Sequence, residues 1–236
     1  MTSDGVTTDD NGSADDAGRR QERIDAASAM PLLVERLSAL RDRSGRVMLG
    51  IVGAPGAGKS TLANDLATAL GEDVAAVVPM DGFHIASAAL PGPEYLERRG
   101  AMDTFDVGGY LSMLKRLRID TEDVIYAPAF ERALEEPMAG AIAVPRSLPI
   151  VITEGNYLLS DETPWNEVRA CLDETWFVET DHATRLERLI ARHVLSGKSL
   201  EQATRMATGS DEHNARVVAD TRSAADLVIA SVARRR

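Results

Sequence analysis

Apolar residues along this chain follow two patterns, short unbroken runs and positions that return every three to four residues. From about Ile24, Leu32, Leu33, Leu37 and Leu40 recur at helical spacing, which predicts an amphipathic helix ending near Ser44 and Gly45. RVMLGIVG then runs almost without a polar side chain and stops at glycine, as a strand buried on both faces does. STLANDLATAL is good helix material closed by Gly71, VAAVVPM is a second short strand, and FDVGGYLSMLKRLR is a further helix. VIYAPAF and AIAVP, marked by prolines, predict a small hairpin ahead of a core strand, LPIVITEG. ETWFVET is another strand, DHATRLERLIARHVLSG a strongly amphipathic, arginine-rich helix, LEQATRM and NARVVADTRSA two helices, and ADLVIA a last strand. Strands that alternate with helices predict a three-layer α/β fold with a parallel central sheet and right-handed crossovers. No internal repeat or linker interrupts it, so residues 22–236 read as one domain.

The chain has 236 residues, enough for one domain with a sizeable core. Its first 21 residues are rich in Asp, Ser, Thr and Gly and have little to bury, which predicts a disordered acidic tail. They lack the apolar core of a signal peptide, and no run reaches the length of a membrane span. A formal charge of −11 argues against a nucleic-acid partner, although a local loop can still be positive and hold a small anion. The single cysteine, Cys171, can form no intrachain disulfide and reads as a small buried hydrophobe on a helix, in keeping with the cytoplasm. Nothing in the sequence fixes whether the chain is a homo-oligomer.

Candidate chemistry centres on Gly53-Ala54-Pro55-Gly56-Ala57-Gly58-Lys59-Ser60-Thr61, which matches G-x-x-x-x-G-K-[ST] between a strand and a helix. Glycines let backbone N–H groups turn inward around phosphate oxygens, and the helix that follows points its positive end at the same anion. Lys59 can reach the outer phosphates and the Ser60 hydroxyl can coordinate Mg²⁺. Ser196-Gly197-Lys198-Ser199 repeats the letters GKS, but it follows a helix and reads as a helix end and a new helix start. The absence of N-K-x-D argues against a guanine-reading GTPase, and the absence of an LSGGQ-like stretch against a transport ATPase. Asp106-Val-Gly-Gly109 opens a helix instead of ending a strand, so its D-x-x-G match is discounted.

In an open α/β sheet the carboxyl ends of the strands face the ligand. PMDGFH places Asp81 there, as a base for an alcohol acceptor or as a turn cap, and His84 beside it, as a substrate contact or a packed ring. PIVITEGNYLL places Glu154 there, to hold Mg²⁺ directly or through water, or facing solvent. Arg185, Arg188 and Arg192 share a helix face, as a solvated stripe or as a lid that closes guanidiniums over phosphates.

At GAPGAGKST, MDGFH, YLERRGAMDTFD, APAF, ITEGNYLL and TRLERLIARH, in that order, the chain resembles the uridine kinase, phosphoribulokinase and bacterial pantothenate kinase group of P-loop kinases. The resemblance runs from about Arg46 to Ala230 and is strongest to its nucleoside/nucleotide kinase-like branch. It implies a P-loop fold with an acceptor-side hairpin and a helical lid, ATP and Mg²⁺ as cofactors, and a small-molecule alcohol as acceptor. By matching position it implies Asp81 as catalytic base, Lys59 with the lid residues Arg188 and Arg192 on the phosphates, and Ser60, Glu154 and Asp81 around the metal. It places His84, Tyr95, Arg98, Arg99, Asp103, Phe105, Phe130, Arg132 and Glu154 at the acceptor, and Asp211 and Asn214 near the adenine. Phe130 stands where uridine and pantothenate kinases carry tyrosine, and Glu135 or a neighbour replaces a histidine of the uridine kinases. Glu131, Glu135 and Glu136 suit a neutral nucleoside-like or sugar-like alcohol better than a phosphorylated one. A pantothenate kinase, with Arg98, Arg99 and Arg132 on its carboxylate, and an ATP-binding regulator are the alternatives.

Overall fold

A computed structural model describes residues 22–42 and 45–230, so the expected tail lies outside the described residues. Six parallel strands form the central sheet, in the order β1-β8-β7-β2-β6-β3. They are β1 (Glu22–Asp25), β2 (Val47–Val52), β3 (Ala75–Val77), β6 (Ile150–Gly155), β7 (Glu174–Glu179) and β8 (Leu227–Ala230). The antiparallel hairpin is a separate sheet of β4 (Val124–Glu131) and β5 (Glu136–Pro145), irregular between Ala127 and Ala129 around Pro128. The helices are α1 (Ala26–Arg41), α2 (Lys59–Leu70), α3 (Pro93–Glu97), α4 (Val107–Ile119), α5 (His182–Leu195), α6 (Leu200–Thr208) and α7 (Ser210–Asp220).

Alternate residues of each core strand enter different layers. Val47, Leu49, Ile51, Ile150, Ile152, Trp176 and Val178 pack with Leu33, Leu37, Ala63 and Leu66 of α1 and α2. Met48, Val52, Val151, Phe177 and Val228 pack on the other face with Tyr110, Leu114 and Leu117 of α4. That is the three-layer architecture expected from the alternation of elements. One expectation needs correcting at its start: the chain enters the fold as β1, and the first helix begins at Ala26, two residues after Ile24. The open edge of β8 offers ladder partners to Glu22–Asp25, and pairing there satisfies backbone groups that a frayed first turn would leave to water.

Two buried polar clamps tie the surrounding elements to the sheet, one at its amino edge and one near its carboxyl edge. The Arg46 guanidinium, 2% exposed, donates to the carbonyls of Leu117, Pro145 and Leu148 and pairs with Asp120, joining α4 and the foot of the hairpin to β2. Thr153 donates to the Val78 carbonyl at 2.7 Å and meets the Tyr110 hydroxyl at 2.6 Å, holding the exit of β3 against β6. Ser196 ends α5, and Ser199 starts α6 with a reciprocal side-chain cap to Gln202, so the second GKS is a helix junction as expected.

Candidate active site

The phosphate loop begins where central β2 ends. Register sets Val52 beside Gly155 of β6 and Phe177 of β7, so the loop opens between two strand ends. Gly56 has a φ of 79°, and a side chain there would run into Leu189 and the Arg185 carbonyl of α5. Gly58, at φ 99°, turns the chain into α2. Lys59 is 8% exposed and donates to the Ala54 carbonyl at 3.2 Å and to Asn156 Oδ1 at 2.9 Å. Ser60 donates to Glu154 Oε1 at 2.7 Å. Thr61 follows on the exposed side of α2.

Asp81 lies in a 3-10 turn, Met80–Phe83, just past β3, and accepts from the Arg132 guanidinium at 2.8 Å. Gly82 makes this possible: its α-carbon abuts the Pro128 backbone of the hairpin, and any side chain would force the turn away. Burial pushes the Asp81 carboxyl up, but His84, Arg132, Lys59 and Arg192 outweigh it and hold it below the usual range. Glu154, 5% exposed, goes the other way, raised by burial against the pull of Lys59. Burial also lowers the Lys59, His84 and Arg192 values. The His84 ring sits 4.1 Å from Phe105 and 4.8 Å from Phe130, centre to centre, and borders the cavity.

These groups line one cavity of about 370 Å³. Pro55, Lys59, Ser60, Asp81, Glu154, Asn156, Arg132 and Arg192 are at it, and so are His84, Arg99, Phe105 and Phe130. Tyr95, Arg98 and Asp103 are not among its lining residues: Arg98 pairs with Asp103 and lies 4.2 Å from the Tyr95 ring centre. They engage one another on the outside of the loop that carries them. Arg188 reaches the Ala57 carbonyl at 3.4 Å, so it meets the back of the phosphate loop. Arg185 is 5% exposed and tied to Glu212. Of the three-arginine stripe only Arg192 borders this cavity, because α5 is wedged between the loop and α7 and its face is shared among them.

Asp211 and Asn214, expected near the adenine, line the same cavity as Asp81. The neighbouring face of α7, with Glu212, Ala215, Arg216 and Ala219, borders a second cavity of about 280 Å³ behind Ala54 and Ala57. Residues three or four apart share a helix face and adjacent residues do not, so Asp211 and Asn214 turn to one space and Glu212, Ala215, Arg216 and Ala219 to the other. The sequence reading gave no role to Ser87, Asn156, His193 or Lys198, all of which line the main cavity. Asn156 stood in plain view two residues after Glu154. Lys198 was hidden inside the discounted GKS. Ser87 bonds Glu136, and His193 meets Asp211 at 2.7 Å, contacts that no local pattern signals.

Ser60 and Glu154 give oxygen donors at the loop, which suit a hard cation that keeps most of its waters. Among the described residues no group of three His, Cys, Asp or Glu side chains gathers as a protein-only metal cage, and no helix is long and apolar enough to cross a membrane.

No protein-family model matches the chain. A candidate uridine kinase of Schizosaccharomyces pombe is 34% identical over 185 residues, 74% of this chain and 79% of the relative. An ATP-dependent kinase-like protein of Aspergillus versicolor is 37% identical over 125 residues, 50% of this chain and 73% of the relative. A candidate fructose transport system kinase from Silicibacter has a solved structure that superposes with a TM-score of 0.73 at 35% identity, covering 83% of this chain and 98% of that one.

Proposed function

Because this chain belongs to the uridine kinase-like family of P-loop kinases, we propose that it is a cytoplasmic phosphotransferase that moves the γ-phosphoryl group of ATP to an alcohol of a small, nucleoside-like or sugar-like metabolite. The observation that carries this is the convergence of Lys59, Ser60, Asp81, Glu154, Arg132 and Arg192 on one cavity from five separate segments. A nucleotide switch has no use for a carboxylate base at the mouth of its phosphate loop.

In the reaction the acceptor oxygen bonds to the γ-phosphorus, the bond from that phosphorus to the β-bridging oxygen breaks, and ADP leaves with the electron pair. Asp81 accepts the hydroxyl proton, and its ion pair with Arg132 aims the carboxylate. Lys59 and Arg192 neutralise charge on the transferring group. Mg²⁺, held through Ser60 and Glu154, would supply charge neutralisation on the phosphate oxygens. The second cavity, on the other side of the loop from Asp81, is where the nucleoside part of ATP is accommodated.

The test is the Asp81→Asn protein. Acceptor-dependent ADP release should fall about 100- to 10,000-fold, while ATP affinity by calorimetry stays within a few-fold of the parent. Unchanged release would remove Asp81 from the reaction.

A further inference from the structure

The charges along the main cavity are distributed unevenly. At the phosphate loop Lys59 and Arg192 have no carboxylate within ion-pair distance among the described residues. Beyond them, towards the acceptor side, each cation is matched. Arg132 holds Asp81 at 2.8 Å, Arg99 holds Glu136 at 3.2 Å, and Lys198 holds Glu135 at 2.6 Å. Glu136 also accepts from the Ser87 backbone N–H and hydroxyl. Glu135 is fixed from two sides, since its carbonyl accepts from Arg99, and its φ of 52° is a conformation rarely adopted by side chains of its kind.

The aromatic groups are similarly engaged. Phe105 is 5% exposed behind His84, and the Phe130 ring has the Arg99 and Arg132 guanidiniums 5.7 and 5.4 Å from its centre with His84 alongside. A nucleobase needs an open ring face to stack on, whereas Phe105 is buried behind His84 and Phe130 is shared among His84 and two guanidiniums. A phosphate or carboxylate on the acceptor needs a cation without a partner, and the acceptor side has none to give. What it does offer is carboxylate oxygens beside guanidinium and ammonium donors, so that one hydroxyl can donate and accept at once.

We propose that the acceptor is a compact, uncharged polyol, a free sugar or sugar alcohol, and that the Arg99–Glu136 and Lys198–Glu135 pairs set this preference by cancelling the charge that would otherwise recruit anions. The inference rests on the phosphotransferase reading, and two measurements separate their failures. ADP release by the full chain is followed with D-fructose, D-ribose, meso-erythritol, uridine and ribose 5-phosphate. One free polyol should exceed uridine and ribose 5-phosphate in kcat/KM by about 100-fold or more. A preference for uridine or ribose 5-phosphate would overturn the polyol class and leave the kinase reading standing. Calorimetry of the same compounds, on protein loaded with a non-hydrolysable ATP analogue, reads the class without turnover. Polyol binding without release would uphold the class and sink the kinase, and no polyol binding would overturn the class. Glu136→Gln keeps the hydrogen-bonding shape and releases the Arg99 charge, so the ratio of polyol to ribose 5-phosphate turnover should fall about tenfold. An unchanged ratio would contradict the assignment of that pair.

Discussion

The two ends of the main cavity are built by different rules. The phosphate-loop end is made from one contiguous stretch, Gly53–Thr61, and from groups that stand directly at the exits of β3 and β6. Its cations, Lys59 and Arg192, form no ion pair among the described residues, and Lys59 is held by the Ala54 carbonyl and Asn156 Oδ1. The acceptor end is assembled from Ser87, Arg99, Phe130, Glu136, Lys198 and Asp211, spread over more than half of the chain, and its charges are matched in pairs. A cavity with free cations at one end and compensated charge at the other separates two tasks. One end holds a polyanion whatever the acceptor is, and the other selects among acceptors by hydrogen bonds.

The sharpest way to break this comparison is to remove a free cation. Lys59→Met should lower turnover with every acceptor by about 1,000-fold and leave the acceptor ranking unchanged, since its loss acts on charge common to all transfers. A changed ranking would mean that the two ends are not separate.

A smaller effect is expected at Glu212, which neutralises the buried Arg185 behind the phosphate loop. Arg185 already has one buried nitrogen with no partner, so Glu212→Gln should destabilise the fold by about 3 kcal/mol near neutral pH. Burial raises the Glu212 carboxyl, and the hydrogen bond and charge of Arg185 more than offset it, leaving its value below the ordinary glutamate range. A folded-state value below the unfolded one gives stability that is present above the ordinary range and is lost as pH falls through the folded value. The difference in melting temperature between parent and variant should therefore close on acidification, and a gap that stays constant down to strong acid would refute the ion pair's role.

The smallest effect belongs to Arg98. It pairs with Asp103 and Tyr95 away from the cavity, so Arg98→Ala should change acceptor KM by less than about threefold, as expected of an exposed pair. A large KM increase would bring that group back to the acceptor.

How much of this was legible follows from the same contrast. The sheet, the hairpin and the phosphate loop declare themselves locally, through apolar runs such as Val47–Val52 and the spacing of three glycines before Lys59. Asp81 and Glu154 were readable because strand ends in a parallel sheet share one edge. The acceptor side was less so. Tyr95, Arg98 and Asp103 share a segment with Arg99 and Phe105, yet only the latter two turn inward, and a loop has no period from which that choice can be read. Asp211 and Asn214 line the main cavity while Glu212 and Ala215 face the second, because which side of α7 faces which space depends on how α5 and the loop pack. Glu22–Asp25 formed a strand that its sequence does not announce, since the open edge of β8 supplies the reason.

The measurement closest to the central claim follows the γ-phosphoryl group itself. ATP labelled at its γ-phosphorus is incubated with the protein, Mg²⁺ and a polyol, and the label is traced. The account predicts label in an organic phosphate ester, dependent on the polyol and lost in Asp81→Asn. Label appearing only as inorganic phosphate, or staying in ATP with every acceptor, would contradict it.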